Sequence, residues 1–389
     1  VRDGAAERVR QDAGRAPGGA GAGLGVAAPA EGQDAPPPEA VVRLPDNEET
    51  DTPKDLTDPN NRVQDPEDAQ IIDVALAPES RGKRAFAIGE SHCPLSACRP
   101  VLFRSDDGGA KWQRLPAQGF SGHTLVIPPG SDGTKLFAMS PSGLQVSEDG
   151  GLTFTMAALT GQAPVTGSVA VSPAFAAGDP TLLIGAEALV RYDDTNATLQ
   201  PEPTSALGSS FEPAFVPDYP SDARFLMGGV RVNEGRLAST VFSCKEPTGH
   251  CTWATLRGGK GAPKIRLRPD YARSNVAYAF TENGLYRSPD VWGYTRLKTP
   301  WPEEAMLLDL QLRGSGDTMF AAVFGGKKGA GDGLYRSDDE GFSWERVASP
   351  LFRGGASSIA LDGSRILVTL GEEGLACSAD GGLTWSRRC

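Results

Sequence analysis

Histidine is scarce: only His92, His123 and His250 occur in 389 residues. A centre built on imidazole ligands, or a histidine general base, has little to draw on. No apolar run reaches the roughly 18 residues that a membrane-spanning helix needs, so the chain as given contains no such span. The first residue is Val1, not Met, which leaves room for a signal peptide or anchor upstream. Basic charge is also short. There are 38 Lys and Arg against 49 Asp and Glu, a net charge of −11. That gives no positive footprint for nucleic acid and no help in binding anionic lipid. There is no Gly-x-Ser-x-Gly elbow, no P-loop and no His-Glu-x-x-His motif. We therefore expect no metal, no cofactor and no carried-over catalytic residue.

Six cysteines are present in three close pairs: Cys93 with Cys98, Cys244 with Cys251, and Cys377 with Cys389. Zinc sites are the rival reading, but none of the pairs has the two-residue gap of a zinc ribbon, and only His92, His123 and His250 could supplement them. Three local disulfides are expected, and with them an oxidising compartment: secreted, periplasmic or cell-surface.

Glycine (48) and proline (31) are abundant, and the chain divides by how it uses them. Residues 1–66 are Ala/Gly/Pro-rich, then acidic, with no apolar periodicity. They read as a disordered tail or stalk, because they cannot bury enough surface to offset ordering entropy. Residues 67–389 carry short β-rich runs at even spacing. Five of these share a core: LFRSDDGGAKW from Leu102, GLQVSEDGGLTF from Gly143, GLYRSPDVWGYT from Gly284, GLYRSDDEGFSW from Gly333 and GLACSADGGLTW from Gly374. Two weaker copies fill the gaps, at Tyr192–Leu199 and at Ser243–Trp253, the latter split by an insertion that Cys244 and Cys251 flank. The copies end at Trp112, Phe154, Leu199, Trp253, Thr295, Trp344 and Trp385, 41 to 54 residues apart. That spacing fits blades of four strands and predicts a seven-bladed β-propeller, all β. In the last unit the expected strands are 357–361, 365–370, 374–378 and 383–388. The first unit begins near Ile71, so the ring should close by blade packing and not by a shared strand.

Each hairpin can be explained by turn chemistry. The Asp carboxylate accepts backbone N–H groups, Ser and Thr brace the loop, Gly supplies positive φ, and Trp fills the wedge between blades.

Four copies are intact: Ser105-Asp107-Gly109-Trp112, Ser147-Asp149-Gly151 with Thr153 and Phe154, Ser337-Asp339-Gly341-Trp344 and Ser378-Asp380-Gly382-Trp385. These resemble the Asp-box, or BNR repeat, of sialidase-like propellers. SPAFAAGDPTLLIG (172–185) and PAFVPDYPSDARFLMG (213–228) also resemble repeats of related propellers, among them sorting-receptor ectodomains and photosystem assembly factors. The resemblance covers about 70–389 and implies a fold, since such propellers include both enzymes and binding proteins. True sialidases carry an Arg-Ile-Pro motif and an arginine triad; the motif is absent, and no arginine here stands in a matching context.

The non-enzymatic branch is therefore favoured: a protein- or glycan-binding or assembly module, with a sialidase-like glycoside hydrolase as the alternative. The Asp-box turns lie on one face of such a ring. The opposite face collects the loops joining second and third strands and those joining blades. On it we place the binding candidates Trp301, Lys327, Lys328, Arg231 and Arg236. Trp292 sits at an irregular box turn and is a candidate contact on the box face.

Overall fold

The computed structural model describes residues 66, 69–90, 100–157, 167–185, 189–195, 198–201, 209–246, 250–326, 329, 331–371 and 373–389. The expected Cys93–Cys98 pair, Lys327 and Lys328 lie outside them.

Seven antiparallel sheets follow one another along the chain as the blades of a propeller. Blade 1 holds β1 (Gln70–Leu76), β2 (Ala85–Glu90), β3 (Pro100–Ser105) and β4 (Gln113–Arg114). Blade 2 holds β5 (Thr124–Val126), β6 (Leu136–Ser140), β7 (Gly143–Ser147) and β8 (Thr155–Met156). Blade 3 holds β9 (Ser168–Val171), β10 (Thr181–Gly185), β11 (Leu189–Asp193) and β12 (Thr198–Pro201). Blade 4 holds β13 (Ser209–Phe215), β14 (Arg224–Asn233), β15 (Arg236–Lys245) and β16 (His250–Thr255). Blade 5 holds β17 (Lys264–Leu267), β18 (Ala277–Thr281), β19 (Gly284–Ser288) and β20 (Thr295–Arg296). Blade 6 holds β21 (Met306–Arg313), β22 (Thr318–Phe324), β23 (Gly333–Ser337) and β24 (Glu345–Arg346). Blade 7 holds β25 (Ile359–Asp362), β26 (Arg365–Thr369) and β27 (Leu375–Ser378).

Second strands read as unbroken apolar runs, such as LFAMS in β6 and AYAFT in β18, and every residue of both is buried. Neighbouring blades cover them on both faces, so no polar alternation survives. In blades 1, 2, 5 and 6 the outer strands are only two residues long. In blade 7 the expected outer strand 383–388 is reduced to one bridge, Cys377 with Ser386, which exchange both backbone hydrogen bonds. The Cys377–Cys389 disulfide holds that segment in place.

The ring closes as blade packing predicts. Val74, Phe103, Leu367 and Leu375 share one core cluster across blades 1 and 7. Among the described residues a single backbone bridge, Ile71 to Gly371, crosses the seam.

Two inner strands carry a bulge followed by an aspartate, Asp73 in β1 and Asp309 in β21. Each carboxylate fastens its blade to the next. Asp73 accepts the Leu125 N–H of blade 2 at 2.9 Å and the Ser358 hydroxyl of blade 7 at 2.8 Å. Asp309 accepts the Ile359 N–H of blade 7 at 2.9 Å and the Arg266 guanidinium of blade 5 at 2.8 Å. Burial pushes the Asp73 carboxyl up to about 6, against the pull of its hydrogen bonds, and the Asp309 charge adds to the rise.

Candidate functional site

The repeated Ser-x-Asp-x-Gly turns, called box turns below for their resemblance, are built alike. Ser378 Oγ donates to Asp380 at 2.7 Å and accepts the Gly382 N–H at 2.8 Å. The second Asp380 oxygen accepts the Thr384 hydroxyl at 2.6 Å. These bonds, the Thr384 hydroxyl foremost, hold the Asp380 carboxyl far below the usual range. Ser337, Asp339, Gly341 and Ser343 repeat the pattern, with distances of 2.6 to 2.9 Å. Gly382 sits at φ +88°, and a Cβ there would stand 2.6 Å from Phe320 Cζ of blade 6. The turn thus locks each blade onto the one before it.

The rings after the turn fill the wedges. Trp385 packs edge-on against Phe352, with centroids 4.9 Å apart. Trp344 meets Trp301 at 5.6 Å. This removes Trp301 from the binding set: it is 7% exposed, and Tyr335 and Trp344 pack against its ring.

Two of the assigned end positions also change. In blade 5 the turn is one residue shorter. Tyr294, not Thr295, packs against a core cluster there, and Val291 takes positive φ, at 63°. In blade 4, Trp253 is not a wedge residue. It pairs with Phe242 across β15 and β16 and is 48% exposed. The Cys244–Cys251 disulfide joins the same two strands, in a turn where the box aspartate is missing.

The distinctive surface is the blade 4 hairpin. In blade 5 the equivalent pair of strands ends at Thr281 with Gly284. In blade 4 pairing continues through Arg231 with Ala238, Val232 with Leu237, and Asn233 with Arg236. Three extra pairs raise the tip by about 10 Å. Val232 is 65% exposed and Leu237 78%, directly opposite one another. On the other side of the ribbon the Arg231 guanidinium lies 4.1 Å from the Trp253 ring centroid. The structure therefore brings Arg231 and Arg236 together at one hairpin. Val232, Leu237 and Trp253 were missed from sequence. The signal available was length: 22 residues (224–245) without a Gly-Pro break other than Gly228, Gly229 and Gly235.

A groove of about 490 Å³ between blades 6 and 7 is lined by Arg336, Arg346, Pro350, Leu383 and Trp385. Both arginines are already engaged, Arg336 with Asp338 at 2.9 Å and Arg346 with the Asp332 carbonyl. Among the described residues no cluster of three or more His, Cys, Asp or Glu is placed to hold a metal. The inner-strand carboxylates Asp73 and Asp309 are the blade fasteners described above.

No protein-family model matches the chain, and no curated protein does. Solved structures do. YCF48 bound to D1 peptide is 14% identical, with a TM-score of 0.56 over 81% of this chain and 94% of that one. The extracellular domain of the one-component-system protein BT4673 from B. thetaiotaomicron is 14% identical, with a TM-score of 0.55 over 80% of this chain and 38% of that one. Sqt1 from Chaetomium thermophilum is 11% identical, with a TM-score of 0.54 over 80% of this chain and 96% of that one. At these identities the likeness establishes the propeller fold alone. The two disulfides fit an extracellular protein. Among the described residues no helix is long and apolar enough to cross a membrane.

Proposed function

We propose that this chain is a non-enzymatic Asp-box propeller that works outside the cytoplasm and binds a protein partner through the face bearing the blade 4 hairpin. Residues 1–66 serve it as a stalk. The observation that carries this reading is the raised hairpin: an apolar Val232–Leu237 pair on one side and an arginine-capped Trp253 on the other. Large apolar side chains held out on a rigid ribbon cost solubility and are retained where a partner covers them. Trp and Arg are the residue types that dominate protein interfaces. The two disulfides support the compartment. YCF48, similar in fold, was solved with a peptide bound, which supports a propeller of this build serving as a peptide or protein receptor.

The test is a quantitative capture from the producing cell with the full chain and with Val232→Ser/Leu237→Ser. A partner held by the wild type and lost with the double variant supports the reading. Identical capture by both, or enrichment only by a glycan array insensitive to the variant, refutes it.

A further inference from the structure

A second set of exposed apolar residues lies on the opposite face. Leu152, Phe342 and Leu383 occupy one slot of the box turn, just before its Ser or Thr, and are 40%, 61% and 72% exposed. Trp292, 63% exposed, holds the same slot in the shorter turn of blade 5. The turn uses only the backbone of these four: the N–H groups of Leu152, Leu383 and Trp292 donate to the turn's carboxylate and that of Phe342 to the Asp339 carbonyl, while the side-chain bonds come from the Ser, Asp and Thr positions, so the apolar side chains are left unexplained.

Rotation about the ring axis relates the blades, so equivalent residues stand at one height on a circle. Blades 5, 6 and 7 carry Trp292, Phe342 and Leu383 in succession. Blade 1 carries Ala110 in that slot and blade 2 Leu152. The result is an arc of separate apolar tips at one level. Each tip sits on its own blade, so they do not merge into the single packed patch that a protein hot spot requires. Discrete tips at a common height fit a fluid surface that can close around each of them. Trp, Phe and Leu are the side chains that enter the headgroup–acyl boundary, and they can do so while the backbone stays outside it.

The charge around the tips selects the lipid. Several arginines at this end are paired with carboxylates: Arg84 with Asp106 at 2.7 Å, Arg268 with Glu340 at 2.7 Å, Arg336 with Asp338 at 2.9 Å. Lys83 and Lys111, at the blade 1 turn, are exposed and are two positive charges against the overall acidic excess. Arg287, which lies over the Phe342 ring, is paired with Glu340. With a net charge of −11, no positive excess is left for anionic headgroups. We propose that the box-turn face seats on a zwitterionic lipid surface, with Trp292, Phe342, Leu383 and Leu152 as shallow wedges. The blade 4 hairpin then points away from the membrane.

The experiment is co-sedimentation of the full chain with phosphatidylcholine vesicles, repeated with added phosphatidylserine. The variants are Trp292→Ser/Phe342→Ser/Leu383→Ser and, as a control on the other face, Val232→Ser/Leu237→Ser. All five sites are exposed, and circular dichroism checks that each variant folds. The wild type should sediment with phosphatidylcholine, the triple variant should partition at least about tenfold less, and the control should match the wild type. Phosphatidylserine should weaken binding. Brominated acyl chains should quench fluorescence from Trp292, a loss absent in Trp292→Phe. The proposal is overturned if the full chain stays in the supernatant, if the triple variant binds like wild type, if the hairpin control loses as much, or if phosphatidylserine strengthens binding.

Discussion

Replacing Asp73 by Asn should stabilise the protein at neutral pH and not in acid. The wild-type carboxyl is buried and its value rises from 3.8 to about 6 on folding. Below pH 4 both folded and unfolded chains hold the proton, and burial carries no ionic cost. Between about 4 and 6 the unfolded chain releases its proton while the folded one keeps it, so stability falls as pH rises. Above 6 both are ionised, and the loss levels off. A shift of about two units corresponds to about 3 kcal/mol. Asn cannot ionise. Its carbonyl accepts the Leu125 N–H, and its amide donates to the Ser358 hydroxyl, which can reverse its role. The rise to about 6 is already net of the hydrogen bonds to the carboxylate. Asn matches the bonds of the neutral acid imperfectly, at a pH-independent cost of about 1 kcal/mol, leaving a gain of about 2 kcal/mol at pH 7.5 and a loss of about 1 kcal/mol at pH 4. Urea unfolding of both proteins at pH 4, 5, 6 and 7.5 measures the difference directly, and other titrating groups cancel in the comparison. A difference that is flat with pH, or a variant less stable at pH 7.5, refutes the reasoning.

Three further variants probe the box turns and staples. Gly382→Ala combines a positive φ with a 2.6 Å approach to Phe320 and should cost about 2–4 kcal/mol in urea; a cost under about 0.5 would mean the turn is not locked on blade 6. Ser378→Ala strands the buried Gly382 N–H and frees Asp380 on one side, for an expected loss of about 2 kcal/mol by the same assay. Removing Cys377–Cys389 with the paired serine variant should cost about 2–3 kcal/mol, and the outer segment of blade 7 should then exchange its amide protons fastest; uniform protection would count against its role as a staple.

The blade count was legible because the box turn needs the same few residues wherever it recurs. Ser, Asp and Gly are fixed by short-range bonds, so spacing alone marks the blades. Strand edges were harder. Leu383–Arg388 looks like a strand, but Cys389 turns back to Cys377, and pairing stops at Ser386. The ring position slipped where the turn changed length: Tyr294 replaces Thr295 because blade 5 dispenses with one residue and lets Val291 take the left-handed conformation. Trp253 and Trp301 exchanged expected roles for a tertiary reason. A tryptophan at the end of a repeat is buried only if a neighbouring blade covers it, and nothing in local sequence tells Trp253, 48% exposed, from Trp344. Trp301 lies in a proline-framed connection that folds inward onto Tyr335. Val232 and Leu237 were hidden because their alternation is that of an ordinary half-buried strand. Only the length of blade 4 relative to blade 5 carries them past its neighbour.

The two faces of the ring are assigned different partners, and a photo-cross-linking residue placed in the chain tests that most directly. It goes at Leu237 on the raised hairpin and, separately, at the exposed Ser364 in the turn between β25 and β26. Illumination in the producing cell should yield a discrete protein adduct from position 237 and none from position 364. No adduct at 237, or the same protein adduct from both positions, would contradict the assignment of the hairpin as the partner-binding surface.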